Sequence, residues 1–254
     1  MSLKFTESGT GELALVFVHG IGGDRSHFLP QYRFFGRNCR TVGIDLPGHG
    51  HSGHPATGFT LQSFSDEIEE LARSLKLERT MIVGHSLGGL LALNLGSRSL
   101  SWLTGVVILD TPIFVPPLAA AALAPYGKRF RSPEYPEAVR EFVDRYFFSP
   151  HSEPSLRTRL LSQLGELPQS IFVKLWEEMG VFDAESASRR LRVPSLYIHS
   201  SVPADLPRLQ EACPNTWIGR TVGSGHYLQL EVPNQVNTMI ESFLLKRIPT
   251  PSSP

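Results

Sequence analysis

The sequence predicts an α/β protein: a doubly wound, mostly parallel sheet interrupted by a helical insertion. Three observations carry this. Short continuous apolar runs alternate with amphipathic stretches through residue 112, the alternation stops between about 113 and 191, and it then resumes. Short apolar runs bounded by Gly and Pro read as strands buried on both faces, and strand-helix alternation implies parallel strands with helices covering the sheet.

Leu13–Val18 is the first run, ending at His19-Gly20, and Thr41–Asp45 is the second, ending at Leu46-Pro47-Gly48. Thr80–Val83 ends at Gly84, and Thr104–Leu109 ends at Asp110-Thr111-Pro112. Between them, Leu61–Leu77 and Leu87–Arg98 carry apolar residues at helical spacing. In the insertion, Glu134–Phe148 places Val139, Phe142, Val143 and Tyr146 on one helical face, and Ile171–Met179 has a similar face. Prolines from Pro116 to Pro168, Pro125 among them, are expected to cut this region into short helices. Strand signals return at Ser195–His199 and Thr216–Val222, and Asn234–Lys246 reads as a closing helix. The expected organisation is a core of residues 1–112 and 192–248, a helical insertion at 113–191, and a short Pro/Ser-rich tail at 249–254 expected to be disordered.

Composition narrows the function classes. The 254 residues are 41% hydrophobic and 19% charged, which argues for a packed core and against disorder. Basic and acidic residues balance at 24 each, so there is no electrostatic case for nucleic acid or an anionic membrane as partner. Cys39 and Cys213 stand far apart and fit free thiols in a reducing compartment. No signal peptide is read at the start, and no window approaches the ~20 apolar residues of a membrane span. A cytoplasmic protein, monomer or homodimer, is expected.

The chemistry is concentrated in Gly84-His85-Ser86-Leu87-Gly88, which fits G-x-S-x-G with an apolar strand before it and a helix after it. A side chain presented on so sharp a turn forces strained backbone at the serine, and its neighbours must be small. Two more motifs accompany it: His19-Gly20-Ile21-Gly22-Gly23 after the first strand, and Asp45-Leu46-Pro47-Gly48-His49-Gly50-His51-Ser52 after the second. Gly225-His226 follows the last strand.

Together these motifs resemble the α/β-hydrolase superfamily, of the kind with a helical cap inserted after its sixth strand. The resemblance implies Ser86 as nucleophile, His226 as general base, and an oxyanion hole made by the backbone N–H groups of Leu87 and Ile21, with Gly22 close to Ile21 in sequence. It implies His19 as a prop of the oxyanion loop and His85 as packing inside the turn. The third triad member is a choice. In most relatives the acid follows the strand before the base, a slot that falls near Pro203 here and leaves Asp205, which also reads as a helix N-cap. Asp110 stands at a strand tip where other members carry the acid, and it is preferred.

His49, His51 and His54 lack the companions of a metal site and are expected to be solvated, so no metal and no cofactor are implied. The insertion's aromatics are expected to form its own small core and an apolar roof. Its basic residues are expected to form a solvated face. The expected partner is a small molecule with an apolar acyl group, cleaved as an ester, thioester or lactone. Carbon–carbon hydrolysis of a diketone and slow-turnover ligand reception are the alternatives on the same fold.

Overall fold

The computed structural model describes residues 3–55 and 58–248. Seven strands form one sheet: β1 (Phe5–Ser8), β2 (Ala14–Val18), β3 (Arg40–Ile44), β4 (Thr80–His85), β5 (Leu103–Leu109), β6 (Ser195–His199) and β7 (Trp217–Arg220). Their order is β1-β3-β2-β4-β5-β6-β7, and every pairing is parallel except β1 on β3.

The helices are α1 (Leu29–Phe35), α2 (Leu61–Ser74), α3 (Leu87–Gly96), α4 (Pro117–Arg129), α5 (Tyr135–Tyr146), α6 (Pro154–Gly165), α7 (Gln169–Val181), α8 (Ala184–Arg190), α9 (Leu206–Ala212), α10 (Leu228–Glu231) and α11 (Pro233–Arg247). Alternate strand residues feed two separate cores. Val16, Val18, Ile44, Ile82, Val106 and Ile108 pack with residues of α2 and α3. Leu15, Phe17, Met81, Val83, Val107 and Leu109 pack with Phe28, Phe35 and residues of α11. That division is why the central strands are apolar at every position instead of every second one.

The sequence expectations differ from the structure at three places. Strand β1 was not anticipated, because all four of its residues are exposed and it pairs only at the sheet edge. Pro125 does not end a helix: α4 runs through it. The helical insertion leaves the sheet after β5, at the expected place, and α4 to α8 all fall between β5 and β6. His49 is not solvated but buried against the His19 ring, while His51 and His54 are exposed. The tail expected at 249–254 lies outside the described residues, as do Met1 and Ser2. Among the described residues, no helix is long and apolar enough to cross a membrane.

Candidate active site

Strand order reverses around β2: the chain passes from β2 outward to β3, then crosses back to β4 on the other side. In open parallel sheets the crevice at the carboxyl ends of such strands is where ligands bind. Here the loops after β2, β4, β5 and β7 bring together Gly20–Gly23, Ser86, Asp110 and His226.

Ser86 sits between β4 and α3 with φ 54° and ψ −115°. A non-glycine residue held there stores about 1–3 kcal/mol of strain. The surroundings hold it: Ser86 N–H donates to Leu109 O (3.0 Å), and Ser86 O accepts from Gly89 N–H (2.9 Å) and the Thr111 hydroxyl (3.1 Å). The glycines on either side are steric necessities. A Cβ on Gly84 would lie 2.0 Å from Gly88 O, and one on Gly88 would lie 2.1 Å from Val18 O. Leu87 opens α3, so its N–H has no intrahelical acceptor and lies at the positive end of the helix dipole.

The loop after β2 closes with Gly23 N–H on Gly20 O (3.2 Å), with Gly22 at φ +70° as a type II turn requires. Ile21, in the middle of that turn, lines the cavity beside Ser86. His19 ties the loop to its neighbour. Its Nε2 accepts from Leu46 N–H (2.9 Å), which leaves Nδ1–H to donate to Gly20 O (2.7 Å).

His226 is held at three points. Its N–H donates to Phe147 O (2.7 Å), its carbonyl accepts from His85 Nε2–H (2.8 Å), and its Nδ1 lies 2.9 Å from Asp110 Oδ2. A carboxylate has no hydrogen to give, so Nδ1 carries the proton and Nε2 keeps its lone pair. The Phe147 ring lies 4.2 Å from the imidazole. Asp110 is fully buried, with φ 41°. It also accepts from Ser200 N–H (2.6 Å), Val202 N–H (3.3 Å) and the Ser201 hydroxyl (3.3 Å).

The structure therefore brings Asp110 to His226 and leaves Asp205 elsewhere. Asp205 caps α9, accepting from Arg208 N–H at 3.1 Å. Sequence reasoning missed the segment Ser200–Val202, whose donors converge on Asp110, and Phe147, whose carbonyl and ring hold His226. Their partners lie too far along the chain to leave a local signal.

Burial keeps four neighbouring rings neutral. His19 and His85 titrate well below the usual 6.5, chiefly through burial and then through the nearby His49 and His226 rings respectively. Burial also lowers His27, and it brings His49 to about 4. The unfolded chain binds protons that these folded rings exclude, so their stabilising effect is whole above pH ~6.5 and is lost as pH falls. For His49 the loss is roughly 3 kcal/mol by pH 3. The melting temperature should fall more steeply from pH 6.5 to 4 than from pH 9 to 7. His49→Asn, which can still donate to Pro47 O, should flatten the acid limb. An unchanged limb would contradict this assignment.

Among the described residues, no group of His, Cys, Asp and Glu could hold a metal ion. The arrangement can do acyl-transfer chemistry with its own groups: a hydroxyl on a strained turn, a carboxylate-oriented imidazole, and unpaired N–H donors at a helix start.

Residues 15–238 match the model of the alpha/beta hydrolase family. The chain is 29% identical over 261 aligned positions to the biotin biosynthesis bifunctional protein BioHC of Teredinibacter turnerae, covering 92% of this chain but 45% of that protein. Among solved structures, the enol-lactonase from Burkholderia xenovorans superposes with a TM-score of 0.84 at 20% identity, covering 96% of both chains. A thermophilic esterase from Thermogutta terrifontis gives 0.81 at 22%, covering 96% of this chain and 93% of the other. These structural likenesses concern the fold. With its match over most of its length and its Ser86 turn, this chain belongs to the alpha/beta hydrolase family.

Proposed function

We propose that the chain is a serine hydrolase that cleaves a carboxylic ester, thioester or lactone through an acyl-enzyme on Ser86. The observation that carries this is the 2.9 Å contact between His226 Nδ1 and a buried Asp110 that three further donors hold in place. It fixes the tautomer whose Nε2 can take a proton, in the cavity that Ser86 also lines.

In this reading Ser86 Oγ attacks the acyl carbon as His226 Nε2 takes its proton. Negative charge gathers on the carbonyl oxygen, where the N–H groups of Leu87 and Ile21 stabilise it. Removing one such donor typically costs about 2.7–4 kcal/mol of transition-state stabilisation. The imidazolium, stabilised by Asp110, returns the proton to the leaving oxygen or sulfur. Water then attacks the acyl-enzyme by the same steps in reverse order.

The test is steady-state turnover of p-nitrophenyl acetate, a phenyl thioester and a butyrolactone. Many product molecules per chain from at least one of them is the expected result. Sub-stoichiometric product from all three, with saturable binding, would favour a ligand receptor. Cleavage of a diketone with none of the three turned over would favour carbon–carbon hydrolysis.

A further inference from the structure

The cavity over Ser86 is small and its wall carries no charged side chain. Its volume is about 40 Å³. Ile21, Phe142, Leu164, Phe172, Trp176 and Met179 are among its wall residues, and among the described residues no Lys, Arg, Asp or Glu lines it. Three of the insertion's arginines pair with carboxylates instead: Arg129 with Glu141, Arg131 with Glu177, Arg157 with Asp144. A substrate carboxylate here would lose its hydration without gaining a cation.

The wall is held at its size by helix α6. Leu164 lies against the turn after β2, where a Cβ on Gly22 would come 2.1 Å from Leu164 Cδ1. The neighbouring Gln163 spans the gap between insertion and core. Its Nε2–H donates to Asp24 Oδ2 (2.6 Å), and its Oε1 lies 2.9 Å from His27 Nε2. The amide orientation is forced, because a carboxylate only accepts; His27 Nε2 must therefore carry the proton donated to Oε1. Asp24 Oδ1 accepts from Ser26 N–H (2.7 Å), so the bridge ends on a carboxylate already fixed to the loop.

Resting on the acyl-enzyme reading, we propose that the acyl group this chain accepts is short and uncharged, and that Leu164, anchored through Gln163 to Asp24 and His27, sets the length limit. The acyl group stays on Ser86 Oγ after the leaving group departs, so it is the part the cavity must hold through both half-reactions. A longer acyl group meets Leu164, which cannot give way without breaking the side-chain bridge on the adjacent residue.

The experiment compares kcat/KM for p-nitrophenyl acetate, p-nitrophenyl octanoate and mono-p-nitrophenyl succinate. Acetate should exceed each of the others by 100-fold or more. Leu164→Ala should raise the octanoate-to-acetate ratio at least tenfold. Gln163→Glu supplies an independent arm. At pH 8 its carboxylate opposes Asp24 and the ratio should rise. At pH 5.5 a shared proton restores a donor toward Asp24 and an acceptor toward His27, and the ratio should return toward wild type. Asp24, His27 and Arg159 are the charged or titratable groups acting there. A change in general activity cancels in the quotient and does not mimic the effect. Octanoate or succinate esters within tenfold of acetate would overturn the substrate class. A ratio unmoved in both variants would overturn the gate. Neither result bears on whether a fluorophosphonate labels Ser86, which tests the underlying reading separately.

Discussion

Ser86→Ala is expected to lower kcat/KM for a short p-nitrophenyl ester by roughly 10⁵-fold or more while leaving the fold in place. The magnitude follows from nucleophile deletions in enzymes of this mechanism, where the oxyanion donors and binding alone supply the residual rate. The expectation of an intact fold comes from this structure. The bonds that hold the strained turn use Ser86 N–H and Ser86 O, which alanine keeps. Losing Oγ leaves the packing of Gly84 and Gly88 untouched. Turnover measured beside the melting temperature checks both halves. A variant that melts normally yet keeps more than one per cent of activity would remove Ser86 from the mechanism.

Asp110→Asn carries the second largest effect, a fall in kcat of about 10⁴-fold. Asparagine has the right shape but the wrong hydrogen. If its oxygen serves Ser200 N–H, its NH₂ faces His226 Nδ1 and Val202 N–H, where Asp110 Oδ2 accepts. His226 then turns to the tautomer with its proton on Nε2, which cannot take one from Ser86. Asp205→Asn is the matched control. Asn caps helices about as well as Asp, and α9 has seven residues, so kcat should stay within threefold of wild type. Near-normal kcat in the Asp110 variant together with a large loss in the Asp205 variant would reverse the assignment.

How much of this was legible in the sequence depends on how local each cause is. The central strands could be read because burial on both faces makes them apolar at every position, as in Val106–Leu109. The turn at Ser86 could be read because its steric demands fall on immediate neighbours. Phe5–Ser8 could not, since an exposed edge strand has no apolar run to show. His49 misled for a similar reason: a Gly-rich loop looks solvated until the loop after β2 packs over it.

Sequence leaves Asp110 and Asp205 both open as the proposed acid, because the contact that separates them joins residues 116 apart in the chain. The segment expected to carry the acid in most relatives does something else here: Ser200, Ser201 and Val202 donate to Asp110. Gln163 left no trace at all, with its partner Asp24 139 residues away. Long-range polar contacts have no periodicity, so only the fold reveals them.

The central claim is that Ser86 is an activated nucleophile. The most direct test is exposure of the wild type, Ser86→Ala and Asp110→Asn proteins to a fluorophosphonate, with intact mass and peptide mapping as the readout. One adduct per wild-type chain on the peptide containing Ser86, none on Ser86→Ala, and much slower labelling of Asp110→Asn is the predicted result. Equal labelling of wild type and Ser86→Ala, or an adduct mapped to another residue, would contradict it.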